Sequence, residues 1–449
     1  MIDTLSHLPR PDAGAAELAD RFSDLAPPLT ARQAALESAR CLYCYDAPCV
    51  NACPSEIDIP SFIRNISHEN VQGAAEKILS ANILGGSCAR VCPTEILCQQ
   101  ACVRNNTQEC APVLIGLLQR YAIDNAQFSE HPFQRAPASG KRIAVVGAGP
   151  AGLSCAHRLA MHGHEVVIFE AREKAGGLNE YGIAKYKLVD DFAQREVEFL
   201  LQIGGIEIRH GHKLGDDLSL SELHQQFDAV FLGIGLAASK RLGLPGEEAP
   251  GLLAATDYIR ELRQSDDLTQ LPVAERCIVL GAGNTAIDMA VQMSKLGARD
   301  VNLVPIAGAS RKWAPPHTNR TSQGQSGTPA DLGTAGRGAV ERSGSRCAAC
   351  ASPARVWRTA ACKAPDKPSS WPQTPSSPAI GQAFDGQALN DPLARELKRE
   401  GERIWVDAQL QTSVPGVYAG GDCTALGQDL TVQAVPARQS WPPRPSTLT

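Results

Sequence analysis

Two glycine-rich turns, each between a strand-like and a helix-like run, and eight cysteines gathered between Cys41 and Cys102 predict an α/β chain. The expected order is a small helical domain bearing the cysteines, then two Rossmann-like dinucleotide-binding domains, the second inserted in the first. Residues 305–378 stand outside that scheme and are expected to be irregular.

At 449 residues the chain is long enough for several domains, each with its own core. A net charge of −5 argues against nucleic acid as the main partner. No run of about 18 apolar residues occurs, so no membrane span is expected. The opening Met1-Ile-Asp-Thr-Leu-Ser6 lacks the basic-then-apolar pattern of a signal peptide, so a cytoplasmic location is expected. Disulfides are rare in that compartment, and 15 cysteines need another reason.

Residues 1–30 are rich in Ala, Pro and Asp without sustained periodicity, and read as a disordered lead-in. From Ala31 to Arg40 the pattern turns helical and runs into Cys41. Phe62, Ile63, Ile66, Ala74, Ala75, Ile78 and Leu79 keep helical spacing across 61–80, and a further helix is expected over 113–125. Residues 31–130 therefore form the helical domain.

The cysteines fall into two groups: Cys41-x2-Cys44-x4-Cys49-x3-Cys53-Pro54 and Cys88-x3-Cys92-Pro93-x4-Cys98-x3-Cys102. Short spacings let one turn of backbone present several thiolates to one iron–sulfur cube, and a Cys-Pro after three cysteines often ligates a neighbouring cluster. Two interleaved [4Fe–4S] clusters are the expected occupants. A pair of structural zinc sites is the alternative, although such pairs usually show two C-x2-C knuckles and these groups contain one. Under that alternative the chain would be a degenerate, non-enzymatic metal-binding scaffold.

After the linker 132–140 the pattern changes. A buried strand leads into Gly147-x-Gly149-x-x-Gly152, with Pro150 and Ala151 opening a helix, and 166–170 supplies the next strand, ending at Glu170. The first glycine makes the turn, the second lets pyrophosphate approach backbone, and the third lets helix pack on strand. Glu170 is placed to accept hydrogen bonds from a ribose hydroxyl. Gly420-Gly421-Asp422 closes the unit near the flavin's ribityl–phosphate portion, so residues 141–250 and 379–435 are expected to bind FAD. The second motif, Gly281-Ala282-Gly283-Asn284-Thr285-Ala286, opens the inserted unit over 251–304, expected to bind NAD(H) or NADP(H). Residues that choose between them should follow Val304.

From 305 to 378 there are ten Pro and ten Lys or Arg against three Asp or Glu, with four Ile, Leu or Val and no Phe or Tyr. That composition cannot bury enough apolar surface for half a dinucleotide domain. The tail 436–449 is alike, with four Pro in 14 residues. Both read either as disordered segments or as frame-shifted translations of a GC-rich gene.

Asp46-Ala-Pro-Cys49, Asp58-Ile-x-Ser-Phe-Ile63, Gly73-Ala-Ala75, Val91-Cys-Pro-Thr94, Gly176-Gly-Leu178 and Gly182-Ile183 carry a resemblance across roughly 31–304 and 379–435. The chain resembles the glutamate synthase small subunit and, more specifically, the flavin and iron–sulfur subunit of bacterial NAD-dependent dihydropyrimidine dehydrogenase. The resemblance implies one cluster on Cys41, Cys44, Cys49 and Cys102. It implies a second on Cys53, Cys92, Cys98 and Gln119, with Cys88 a bystander. It also implies flavin contacts at Glu170, Gly177, Leu178, Lys187, Leu214, Gly421 and Asp422, and nicotinamide contacts across Ala282–Thr285. The implied function is electron input: NADH reduces FAD, the clusters pass single electrons, and a partner subunit with FMN reduces uracil or thymine. With much of the inserted unit replaced by the anomalous segment, this chain is expected to bind nicotinamide poorly or to be unstable.

Overall fold

The computed structural model describes residues 8–236, 238–239, 252–305, 376–378, 382–383 and 389–426. Seven helices make the N-terminal part: α1 (Ala15–Arg21), α2 (Ala31–Ser38), α3 (Pro48–Asn51), α4 (Ile59–Ser67), α5 (Val71–Ala81), α6 (Gly85–Val91) and α7 (Ile115–Asn125). The starts of α2, α4 and α5 follow from side chains that satisfy free N–H groups. Thr30 and Gln33 form a capping box on α2, Asp58 accepts from Ser61 N on α4, and Asn70 accepts from Gly73 N on α5. The apolar faces of α4, α5 and α7 meet in one core, with Phe62, Ile78 and Leu118 fully buried.

The lead-in departs from the expectation of disorder. Leu18 of α1 and Phe22 just after it are buried against Tyr258, Ile259, Met289 and Met293, in the core of the nicotinamide-side unit. Val273 N donates to Pro9 O at 3.0 Å, and the Arg21 guanidinium donates to Lys295 O at 3.2 Å. Arg120 on α7 donates to Ala26 O and to Asp24 Oδ2. A seven-residue helix carries too few apolar residues to show periodicity, and its stability comes from tertiary burial.

The flavin-side unit follows as β1 (Arg142–Val146), α8 (Pro150–Met161), β2 (Glu165–Glu170), α9 (Leu178–Tyr181), α10 (Phe192–Leu201), β3 (Ile206–His210), α11 (Leu220–Gln226), β4 (Ala229–Leu232) and β5 (Ala238–Ser239). The second unit holds α12 (Ala255–Gln264), β6 (Arg276–Leu280), α13 (Asn284–Leu296), β7 (Asp300–Val304) and β8 (Ser376–Pro378). The last strands among the described residues are β9 (Gln382–Ala383), β10 (Arg399–Glu400), β11 (Arg403–Ile404) and β12 (Val417–Ala419).

A parallel sheet of order β12-β4-β1-β2-β3 is the flavin-side scaffold, and β12 returns to it across the inserted unit through Val417 against Val230. The near-continuous apolar runs of β1 and β2 suit a parallel sheet covered on both faces. In the second unit β6 lies between β7 and β8, all parallel, and β9 pairs antiparallel with β5. The strand β8 corrects the expectation that all of 305–378 is irregular, because Ser376 aligns with Ile278. The rest of that segment beyond 305, the tail 436–449 and the expectations placed on both lie outside the described residues.

Candidate functional site

The chain folds its eight clustered cysteines into two groups. Cys41 lies in electrostatic reach of Cys44 and Cys102, and Cys49 of Cys102 and Cys41. These four are only partly buried. Their loop doubles back through left-handed residues Tyr43 (φ 51°) and Ala47 (φ 32°). It is pinned where Tyr43 OH donates to Ser67 Oγ at 3.1 Å and Arg64 lies over the Tyr43 ring. Burial pushes the Cys41 thiol up, with the nearby Arg104 guanidinium opposing it, and pushes the Cys49 thiol up to about 12.

The second group is Cys53, Cys88, Cys92 and Cys98. Cys88 and Cys92 are joined by a thiol hydrogen bond, and Cys53 and Cys98 face Cys88 and each other. Cys53, Cys88 and Cys98 are buried. Burial holds the Cys53 and Cys98 thiols above their usual range, and the hydrogen bond to Cys88 does the same for Cys92. Thiols desolvated in this way ionise when a metal cation supplies the missing positive charge, which is the chemistry of a cluster site. Gln119 is buried on α7, and its Nε2 donates at 2.7 Å to the carbonyl of Gly85, three residues before Cys88. With the amide nitrogen held, the side-chain oxygen is the donor left for a metal. Cys88, expected to stand aside, lies inside this pocket.

Glu196 of α10 is a residue that sequence reasoning passed over. Its Oε1 accepts from Gly86 N and Ser87 N, both at 2.9 Å, so a flavin-side carboxylate caps the helix that carries Cys88. Burial pushes this carboxyl up to about 7. The signal was an acid on the apolar face formed by Ala193, Val197 and Leu200.

At the carboxyl end of β1, Gly147 takes φ +99°, and a Cβ on Gly152 would meet Gly147 O at 1.9 Å. The helix can therefore approach the turn only with glycine there. Gly149 is different: its Cβ would meet only Gly177 Cα, at 3.8 Å, which leaves room above the turn for a pyrophosphate. Pro150 occupies the first turn of α8 and Ala151 is buried. Glu170 accepts from Ala148 N at 2.6 Å and Arg172 N at 3.0 Å, fixing its carboxylate beside the turn. Gly177 packs against Gly149 and leads into Leu178 at the start of α9. Gly421 and Asp422 follow β12, and Gly420, just before them, donates its N–H to Leu232 O. These residues converge on the carboxyl ends of β1, β4 and β12, where α/β sheets bind ligands. Leu214 is 3% exposed and its side chain belongs to the core, leaving its backbone for any cofactor contact.

The second motif is more open. Gly281 takes φ +131° and donates its N–H to Val304 O, while Ala282, Gly283 and Asn284 are exposed and Thr285 is half-buried. No atom lies within 4 Å of a Cβ built on Gly283, so the cradle fits a dinucleotide phosphate. The residues that would choose NAD or NADP lie outside the described residues. Lys187, expected at the flavin, places its ammonium 2.6 Å from Asp288 Oδ1 on α13, and Tyr186 OH donates to the same oxygen at 2.9 Å. This seam joins the two nucleotide units, and Asp288 was missed because its partners are distant in sequence.

Family comparisons agree with this division. The model described as dihydropyrimidine dehydrogenase domain II, 4Fe–4S cluster, matches residues 18–131, and that for pyridine nucleotide-disulphide oxidoreductases matches 141–312. The NAD-dependent dihydropyrimidine dehydrogenase subunit PreT of Salmonella typhimurium is 35% identical over 284 residues, covering 63% of this chain and 67% of the relative. The chain belongs to that family. It is an oxidoreductase chain whose cofactors are FAD, [4Fe–4S] clusters and a nicotinamide. The small chain of Escherichia coli NADPH glutamate synthase is 33% identical, over 62% of this chain and 61% of that one. The β subunit of the NADP-dependent formate dehydrogenase of Moorella thermoacetica is 32% identical, over 87% and 58%. The match beginning at residue 18 takes in part of α1, in keeping with its packed state. Among the described residues, no helix is long and apolar enough to cross a membrane.

Proposed function

We propose that this chain is the electron-input subunit of a dihydropyrimidine dehydrogenase, drawing on NADH and serving an FMN-containing partner that reduces the 5,6-double bond of uracil or thymine. When bound, FAD accepts a hydride from the nicotinamide and gives up its electrons singly to the [4Fe–4S] clusters. The observation that carries the reading is the Glu196 cap, which ties the helix of the inner thiols to the flavin-side unit while the outer thiols keep solvent access. In this reading the Gly147–Gly152 turn, Glu170, Leu178 and Asp422 hold FAD, Lys187 stays in the seam with Asp288, and Gly281–Thr285 hold the nicotinamide dinucleotide. Cys41, Cys44, Cys49 and Cys102 hold the outer cluster; Cys53, Cys92, Cys98 and Gln119 hold the inner one.

Co-purification tests the partner. An FMN flavoprotein whose addition makes NADH oxidation depend on uracil supports the reading, and a glutamine-dependent amidotransferase partner contradicts it. The composition of 305–378 supports slow NADH-dependent dye reduction by the isolated chain, and reduction at a rate normal for the family would refute that.

A further inference from the structure

The inner pocket holds more donors than a cluster needs. Cys53, Cys88, Cys92 and Cys98 already make four, and the proposed assignment adds Gln119 as a fifth, whereas a four-iron cube takes one protein ligand on each iron. Two of the five are joined through one short helix. Cys88 lies three residues after Gly85 on α6, and the Gly85 carbonyl holds the Gln119 amide nitrogen. Residues three apart on a helix share a face. Cys88 is 4% exposed and Gln119 5%, so neither is a surface group. A Cβ on Gly85 would meet Ile78 Cγ2 at 2.5 Å, so α6 is seated tightly on α5, and Glu196 caps its start. The thiol and the amide therefore reach the same side of the pocket from a rigid frame.

We propose that Cys88 is a reserve ligand for the inner cluster, able to take the iron that Gln119 holds. It rests on the assignment of the inner thiols to a cluster. In the exchange the iron–oxygen bond to Gln119 Oε1 breaks, an iron–sulfur bond to Cys88 forms, and the thiol proton leaves to water. No electron moves. The cluster gains one negative charge from its ligands, because a thiolate replaces a neutral amide. In a buried pocket that extra charge disfavours the reduced, more negative cluster, so the thiolate form is the weaker oxidant.

The test uses the whole chain, purified anaerobically, as Gln119→Ala, Cys88→Ala and the double variant, with Cys98→Ala marking loss of the inner cluster. Iron, acid-labile sulfide and flavin are measured, and the reduced clusters are followed by electron paramagnetic resonance during a redox titration. Each single variant is expected to keep its iron, with Gln119→Ala shifting one cluster to a more negative potential. The double variant is expected to lose about half the iron, as one of two cubes requires. Flavin content and the outer-cluster signal report whether each variant folds. Loss of the inner cluster in Gln119→Ala to the Cys98→Ala level, with flavin and outer signal intact, would overturn the proposal. So would full iron in the double variant. A wild-type chain that binds zinc and no iron would instead overturn the cluster assignment beneath it.

Discussion

The two thiol pockets are built from the same residue type and differ in what surrounds them. The outer four sit in a strained loop with partial solvent access and have the Arg104 guanidinium near Cys41. Three of the inner four, Cys53, Cys88 and Cys98, are buried, and Arg90 on the same helix as Cys88 is already paired with Asp124 at 2.7 Å. Charge is costly where neither water nor a free cation screens it. In the proposed assignment, a neutral amide at Gln119 in place of a fourth thiolate removes one negative charge from the pocket that tolerates it least. The difference therefore gives each site a distinct electrostatic task, and the Glu196 cap gives them an order, inner pocket beside the flavin side and outer pocket toward solvent.

Removing a ligand on either side breaks this comparison most sharply. Cys98→Ser is expected to lose the inner cluster, about half the iron, and with it reduction of the outer cluster by NADH, read by anaerobic electron paramagnetic resonance. Cys44→Ser should lose a similar amount of iron yet keep NADH bleaching of the flavin and the inner-cluster signal. If both variants behaved alike, the ordering would fail.

A smaller effect is expected at Glu196. Its carboxyl is raised from the ordinary 4.5 to about 7, so the folded chain favours the protonated form. Its contribution to stability is present below pH 4.5 and is lost as pH rises through 7. Glu196→Gln keeps an oxygen for Gly86 N and Ser87 N without the charge. It should gain on the native chain by on the order of 3 kcal/mol between pH 5 and 8, as 1.36 kcal/mol per unit implies. Melting curves at both pH values check this, and parallel profiles would show that the cap is not a buried carboxylate. Smallest is Tyr43→Phe, which removes only the bond to Ser67 and should cost about 1 kcal/mol. Thermal unfolding of the iron-loaded chain should drop slightly with iron content unchanged.

Much of this was legible where function demands local spacing. The glycines of both nucleotide turns and the two cysteine groups announce themselves because one turn of backbone must present them together. The proposed role of Gln119 comes only from family resemblance, since an amide on a helix has no spacing signature. The packing of α1, the Glu196 cap and the Lys187–Asp288 seam were not legible, because each joins residues far apart in the chain: Arg21 with Lys295, Gly86 with Glu196, Tyr186 with Asp288. The place of Cys88 escaped for a related reason. The helix turns it toward Cys53, which comes from the other cysteine group.

The most direct test of the account is NADH added anaerobically to the purified, iron-loaded chain, with visible and electron paramagnetic resonance spectra taken together. The account predicts bleaching of the flavin band followed by signals from two reduced clusters. Flavin that bleaches while iron-loaded clusters stay oxidised, or a chain that carries no iron at all, would contradict it.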